Sequence, residues 1–439
     1  MLGCENFVRV NPRSDRFGGR AFAHAEFWCG DAQNTAKRFS GALGMPMVAR
    51  CDLSSGDTRC SSYVLRSRDL CLVFTAPSAV ELAGGGGTGA SFEAVNGSRG
   101  ATGNGGREDG VGLPGFDAAA AHRFVQRHGL AVRAVALEVD DTAEAYCASV
   151  KHGARPALAP CRRGGGDEAV TIAEVELYGD VVLRYLSGPG ARAPAFFPGY
   201  ELIAPQAGDR QDFGFEALDH AVGNVPCLLE TIDYVANFTG FHEFAEFTAA
   251  DVGTVDSGLN SMVLASNNER ILLPFNEPTA GTKRKSQIQT FLDHNLGPGV
   301  QHLALRSNDM LATLSHMRNV SATVGFEFMP RPSDKYYREL PAKIGEALTP
   351  EQYKEAERLG ALVDRDDQGV LLQIFTRPLG DRPTIFIEII QRIGCLQPAE
   401  EPGTGGYVTL EQAGGCGGFG KGNFTELFKS IEDFERTLE

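Results

Sequence analysis

No window of this sequence approaches the roughly 18 consecutive apolar residues that a membrane-spanning helix requires, so a membrane span is excluded. Basic side chains are also in deficit, with 41 Lys and Arg against 56 Asp and Glu and a formal charge of −15. A general nucleic-acid binder needs clustered cations to meet phosphates, and that class is set aside. The ten cysteines form no CxxC pair and no regular framework. That pattern excludes a disulfide-stapled scaffold and predicts free thiols in a reducing compartment. The first twenty residues hold neither an apolar core of signal-peptide length nor a convincing transit peptide, so the expectation is a cytoplasmic or plastid protein.

What is present is ordinary for a globular chain: 439 residues, 42% apolar and 22% charged, enough for two or three domains with real cores. Glycine is the exception, at 53. Thirteen of these fall in 83–115 among Ser, Thr, Asn and Ala, without helical or strand periodicity, which reads as a flexible insertion. Gly84, Gly86 and Gly89 fit GxGxxG, but a glycine-saturated tract does so by chance, and no amphipathic helix follows to aim amides at a pyrophosphate.

An internal repeat organises the chain. Segment 21–77 resembles 217–278 at offsets of 196 to 199, Val132 to Leu137 resembles Val300 to Leu305 at 168, and Val181 to Leu186 resembles Ile385 to Ile390 at 204. Each half reads as strand, helix, then several strands, repeated twice. The predicted fold is α+β, with four βαβββ modules in two domains, 1–195 and 212–439, joined by the Pro-, Gly- and polar-rich run 194–211. A terminal helix is expected over 423–439, with Phe424, Leu427, Phe428, Ile431 and Phe434 as its apolar stripe. Asn423 and Glu426 would form its capping box.

The halves differ at three equivalent strand positions: His220, His302 and Glu388 in the second, His24, Ala134 and Arg184 in the first. Two imidazoles and one carboxylate without a thiolate match the facial triad of non-haem Fe(II) sites, which leaves coordination positions open. Any one strand histidine is more often a hydrogen-bonded core group than a ligand, and His24 is assigned that role. Strict alternation puts His302 on one face with Val300 and Ala304, and His220 with Leu218 and Val222. Glu388 interrupts a strand that is apolar on both faces, where an unpaired carboxylate would cost several kcal/mol. A cation is called for there, either a metal or Arg392 on the same face, and the histidine pair favours the metal. Fe(II) with one glutamate retains a single positive charge, which a bidentate 2-oxo acid would neutralise. Ser261, Asn276, Gln287, Gln301 and Gln373 are candidates to orient a polar ring substituent or water. Phe375, Phe419 and Phe424 could stack on an aromatic ring. Gly415 to Lys421 fits GxxxxGK, but Gly422 stands where a P-loop needs Ser or Thr, so Gly414 to Gly422 reads as a hinge.

At these residues the sequence resembles the plant and green-algal 4-hydroxyphenylpyruvate dioxygenases. The resemblance runs through Asn11-Pro-Arg-Ser-Asp-Arg-Phe17, Asp219-His-Ala-Val-Gly-Asn-Val225, Gly281-Thr-Lys-Arg-Lys-Ser-Gln-Ile-Gln-Thr290 and Gln301-His-Leu-Ala-Leu305. It continues in Asp364-Arg-Asp-Asp-Gln-Gly369, Phe386-Ile-Glu-Ile-Ile-Gln-Arg392 and Gly417-Gly-Phe-Gly-Lys-Gly-Asn-Phe424. It covers nearly the whole chain and departs chiefly at the glycine-rich insertion. It implies a duplicated vicinal-oxygen-chelate fold, a homodimer, and Fe(II) held by His220, His302 and Glu388. The implied reaction takes 4-hydroxyphenylpyruvate and O2 to homogentisate and CO2 by oxidative decarboxylation, ring hydroxylation and side-chain migration. Such enzymes serve tyrosine and phenylalanine catabolism and the supply of plastoquinone and tocopherol precursors, and they are herbicide targets. The resemblance further implies that Phe375, Phe419 and Phe424 flank the ring while Ser261, Asn276, Gln287, Gln301 and Gln373 line the polar side. The terminal helix would be a gate involving Gly420, Lys421, Gly422, Asn423 and Leu427, with 417–422 as its hinge. The rivals are 4-hydroxymandelate synthase, which takes the same substrate, and a non-catalytic binding protein of the same fold.

Overall fold

The alternating runs rich in Val, Ile, Leu and Phe form strands, and the helical windows between them begin at residues whose side chains accept from free backbone amides. Asp31 accepts from Asn34 N, Asp141 from Glu144 N and Asp309 from Ala312 N, which satisfies amides that a first helical turn leaves unpaired. The computed structural model describes residues 7–78, 112–204, 212–248, 258–279, 285–398, 410–424, 426, 427, 429 and 431.

The first half contains β1 (Gly19–Trp28), α1 (Ala32–Leu43), β2 (Met47–Cys51), β3 (Cys60–Ser67), β4 (Leu70–Pro77), α2 (Ala118–His128), β5 (Ala131–Val139), α3 (Thr142–Lys151), β6 (Pro156–Arg163), β7 (Val170–Tyr178), β8 (Val181–Ser187) and β9 (Glu201–Leu202). The second contains β10 (Phe215–Asn224), α4 (Leu228–Thr239), β11 (His242–Phe247), β12 (Leu259–Ala265), β13 (Leu272–Pro278), α5 (Gln287–Asn295), β14 (Gly299–Ser307), α6 (Met310–Val320), α7 (Asp334–Ile344), α8 (Pro350–Leu359), β15 (Leu362–Arg365), β16 (Gly369–Phe375) and β17 (Phe386–Gly394). A small ribbon, β18 (Leu396–Pro398) and β19 (Leu410–Gln412), follows.

One sheet has the order β6-β7-β8-β5-β1-β4-β3-β2-β9 and the other β11-β12-β13-β10-β14-β17-β16-β15. In every module the first and last strands are parallel neighbours: β1 with β4, β5 with β8, β10 with β13, and β14 with β17. The antiparallel pairs β1 with β5 and β10 with β14 join the modules of each half. The predicted fourfold βαβββ pattern is therefore present, with α7 and α8 added in the last copy. The helices cover one face of each sheet, and the core there is continuous from Phe27 and Phe39 to Phe326 and Ile389.

The two halves also share their irregularities. Leu218 opposes Leu305 and His220 opposes Ala304, so Asp219 is an extra residue on β10; Val222 opposes His302 and Gly223 opposes Val300, so Gln301 is extra on β14. Ala23 and Arg133 are the corresponding extra residues of the first half. A bulge lets two neighbours share a face and resets the alternation beyond it. The expected grouping of His220 with Leu218, and of His302 with Val300, is corrected accordingly: Leu218 and Val300 belong to the helix-side core.

Other expectations change as well. Cys395, at the end of β17, and Cys416 form a disulfide across 21 residues, with Cα atoms 5.9 Å apart. Distant sequence neighbours meet only through the fold, so no spacing motif announced the pair; the other seven described cysteines are free. Of the glycine-rich stretch, 83–111 lies outside the described residues, whereas Leu113 is buried in a core cluster with Val64 and Phe196. Within the supposed linker, β9 pairs with β2, and 205–211 lies outside the described residues. At the terminal helix, Asn423 closes a short 3-10 turn, Lys421–Asn423, whose cap is Gly420. Its amide donates to Gln373 Oε1 at 2.9 Å and accepts from the Tyr336 hydroxyl at 2.9 Å, so it is not free to cap. Most of the helix beyond lies outside the described residues.

Candidate metal centre

The second sheet brings its three central strands together as β10-β14-β17, and each contributes one of the nominated ligands. His220 and Glu388 both stand opposite Ala304, whose single methyl leaves room above the sheet, and His302 sits two residues back along β14. His220 Nε2 is 3.0 Å and His302 Nε2 3.4 Å from the same oxygen, Glu388 Oε2. One donor atom from each residue lies within 4.8 Å of the others, the only such group of three among the described residues. His220 and Glu388 are buried, 4% and 3% exposed.

Every one of these groups has its own outer partner. His220 Nδ1 donates to Asp219 Oδ1 at 2.8 Å, and His302 Nδ1 donates to Gln301 Oε1 at 3.0 Å. Gln373 Nε2 donates to Glu388 Oε1 at 2.8 Å. Such contacts fix each imidazole with Nε2 turned inward and leave one carboxylate oxygen facing the pair, as outer partners of metal ligands do. The two bulges make this possible, because they place Asp219 beside His220 and Gln301 beside His302.

The charges are arranged to match. Burial works to raise the Glu388 carboxyl, but the neighbouring imidazoles of His220 and His302 outweigh it and hold the group at about 2. Burial disfavours both imidazolium forms. For His220 the carboxylates Asp219 and Glu388 overcome that penalty and the imidazole is shifted upward; His302 has only Glu388 and is repelled by His220, so it is shifted downward. The site thus has a carboxylate ionised even when buried. Arg392, the alternative partner for that carboxylate, is spoken for: it makes a two-pronged pair with Asp219 at 2.8 and 2.9 Å.

A cavity opens over the three groups. Ser261, Asn276, Gln287, Gln301, Gln373, Phe375, Phe419 and Phe424 all line it, as do Gly420, Asn423 and Leu427 from the gating set. Lys421 and Gly422 do not; they border a separate outer cleft, where Gly422 N donates to Asp364 Oδ2 at 2.7 Å. Sequence reasoning missed the apolar wall, Val222, Phe247, Leu259, Val263, Pro274 and Phe386, because nothing distinguishes such residues from core until the strands are assembled. Phe386 stacks on His302 with centroids 4.8 Å apart, and Phe419 meets His220 edge-on at 5.2 Å.

Gly420 is tightly confined. Its φ is +74°, and a Cβ there would lie 1.8 Å from Gln373 Oε1. Gly420→Ala must therefore displace the amide that orients Glu388, besides adding left-handed strain of about 1–2 kcal/mol. The expected result is a loss of about 10–100-fold in metal affinity, typical of disturbed outer partners, measured by metal titration. Unchanged affinity would contradict the close approach.

In the first half the same positions are occupied differently. Arg184 lies 2.7 Å from both Glu26 and Glu174, and its Nη1 donates to His24 Nε2 at 3.0 Å. A guanidinium fills the place between strands where the second half has its converging donors.

No family model matches the chain. It is 54% identical over 440 residues to the 4-hydroxyphenylpyruvate dioxygenase of Daucus carota, spanning 100% of this chain and 92% of that one. Identity to the Arabidopsis thaliana protein of the same name is 53% over 441 residues, 100% and 93% of the respective chains. Identity to that of Pyricularia oryzae is 32% over 428 residues, 94% and 89%. Among solved structures, a triple mutant of 4-hydroxymandelate synthase from Streptomyces coelicolor aligns with a TM-score of 0.69 at 22% identity, covering 95% of this chain and 99% of that one. That likeness establishes the common fold.

Proposed function

The chain belongs to the 4-hydroxyphenylpyruvate dioxygenase family, and from that premise we propose that it is an Fe(II)-dependent dioxygenase whose metal is held by His220, His302 and Glu388. The reaction is the conversion of 4-hydroxyphenylpyruvate and O2 to homogentisate and CO2. The observation that carries the reading is the convergence of two Nε2 atoms and one carboxylate oxygen, each with an outer partner, at the floor of an apolar cavity. Two imidazoles and one carboxylate suit Fe(II) and leave open positions. When bound, the metal supplies those positions to the 2-oxo acid arm and the one-electron chemistry that O2 requires.

The chain's own residues do the rest. Glu388 cancels one of the two metal charges, and the substrate carboxylate cancels the other. Phe375, Phe419 and Phe424 flank the ring, while Ser261, Asn276, Gln287, Gln301 and Gln373 present amides and a hydroxyl to its polar end. The turn 417–422 is the hinge and the segment from Asn423 onward the gate that excludes water. We assign domains 1–195 and 212–439 and a homodimer in solution. In a photosynthetic cell the product would serve plastoquinone and tocopherol synthesis as well as tyrosine breakdown.

The test is anaerobic reconstitution with Fe(II), followed by air, oxygen-uptake measurement and mass spectrometry of the product. Homogentisate with stoichiometric CO2 is expected. Hydroxymandelate as sole product would assign the chain to the benzylic hydroxylation instead, and absence of oxygen uptake would reduce it to a binding protein. No helix of the described residues is long and apolar enough to cross a membrane, so the assay needs no detergent on that account.

A further inference from the structure

We propose that Arg392 is a positioning residue that couples the glycine turn over the cavity to the orientation of His220, with Asp219 as the connecting carboxylate. The inference rests on the metal reading above. Arg392 projects from β17, four residues beyond Glu388, and its side chain is 1% exposed. One edge of its guanidinium grips Asp219: Nε donates to Oδ2 at 2.9 Å and Nη2 to Oδ1 at 2.8 Å. The other edge grips the turn, where Nη1 donates to the carbonyl oxygens of Cys416 at 2.6 Å and Gly418 at 2.7 Å. Asp219 Oδ1 in turn accepts from His220 Nδ1.

A guanidinium is planar and rigid, so its two edges cannot be moved independently. If the turn lifts, two buried N–H groups lose their acceptors, and the fork is no longer held square to Asp219. If Asp219 shifts, the imidazole loses the contact that keeps Nε2 pointed inward. Phe419, which packs edge-on to His220, lies on the same turn with its ring 5.6 Å from the Arg392 guanidinium carbon. The turn, the guanidinium, the carboxylate and the imidazole therefore form one connected arrangement from the cavity roof to its floor.

An ordinary buried ion pair would hold the fold together without conveying anything. Two observations argue for more. The repeat offsets place Ala23 opposite Asp219 and Gly188 opposite Arg392, so the half without converging donors has neither member. In addition, the Arg392 partners outside Asp219 are backbone carbonyls of the turn itself, not neighbouring strands.

The experiment uses the full-length protein, stripped of metal and reloaded anaerobically with Fe(II) or Co(II). Metal affinity is measured by titration and amide exchange over 414–424 by mass spectrometry. In the wild-type protein, metal should slow exchange in that segment. Arg392→Lys keeps a cation beside Asp219 but lacks the fork; it should bind metal nearly as tightly as wild type yet lose the metal-dependent slowing. Asp219→Asn should lower metal affinity about 10–100-fold and lose the slowing too. Because coupling is reciprocal, substrate-free metal binding alone suffices as the probe. Wild-type slowing retained in Arg392→Lys, or wild-type affinity in Asp219→Asn, would overturn the proposal; if the lysine variant does not fold, the asparagine variant decides. A wild-type chain that binds no metal would instead sink the metal reading, and one that binds metal without altered exchange would sink only the coupling.

Discussion

Glu388→Ala is expected to abolish oxygen consumption and to release the metal, while the protein stays folded. The side chain is the sole carboxylate among the three converging donors, and it is ionised in a buried setting because the imidazoles of His220 and His302 face it. Its removal leaves two imidazoles facing each other with no negative charge to balance a divalent cation. Outer partners of metal ligands typically contribute 10–100-fold to affinity or activity, and loss of a ligand should exceed that, with a decrease of at least about 100-fold. Metal content after gel filtration and oxygen uptake on reconstitution are the two readings. Near-normal uptake would falsify the assignment of Glu388 as a ligand. The Gln373 amide, which donates to Oε1, loses its acceptor in this variant but still has Asn423 as a neighbour, so collapse of the sheet is not expected.

The second large effect lies in the other half and concerns stability. Arg184→Met should destabilise the protein by about 3–5 kcal/mol, the usual consequence of stranding one member of a buried charge pair, with metal affinity unchanged. Glu26 is 0% exposed and Arg184 5%. Burial opposes the guanidinium charge, yet Glu26 and Glu174 together more than offset it and hold Arg184 above its ordinary range. Without the cation, Glu26 keeps Thr75 and Trp28 as donors but no counter-charge. Urea unfolding of the metal-free protein reads the loss. Neutralising Glu26 and Glu174 in the same chain should restore much of it, since removing a whole buried charge group is far less costly than breaking it. If Arg184→Met instead lost metal at unchanged stability, the two halves would have been assigned the wrong way round. His24→Ala serves as the companion variant, expected to retain activity, because its half offers a guanidinium where the other offers a carboxylate.

Both predictions depend on a comparison that is legible in the sequence alone. The offsets of 196, 168 and 204 bring His24, Ala134 and Arg184 opposite His220, His302 and Glu388, and the registers agree: Ala136 pairs with both His24 and Arg184 as Ala304 pairs with both His220 and Glu388. Duplication is visible in sequence because each copy must repeat the same alternation to bury the same face. The bulges at Asp219 and Gln301 were not legible, since one inserted residue leaves the apolar pattern nearly intact while turning the chain over. Consequently strict alternation puts Leu218 and Val300 on the wrong face, and it reveals neither Asp219 as the partner of His220, although Asp219 directly precedes it, nor Gln301, nominated for the polar end of a ring or for water, as the partner of His302. The true partner of Arg392, which parity offered only as the alternative to a metal, is hidden for a related reason. Same-strand parity pointed it toward Glu388, whereas its reach across β14 to β10 depends on sheet order. The capping box at Asn423 failed because local spacing does not register a competing tertiary partner, here Gln373 and Tyr336.

The disulfide between Cys395 and Cys416 changes what a single cut in the backbone can do. It closes a ring that contains β18 and β19, and the chain leaves the ring directly into the turn carrying Phe419 and Gly420. A break anywhere inside the ring would leave the strand bearing Glu388 and the roof of the cavity on one covalent molecule. The two would come apart only after a second event, the arrival of a reductant.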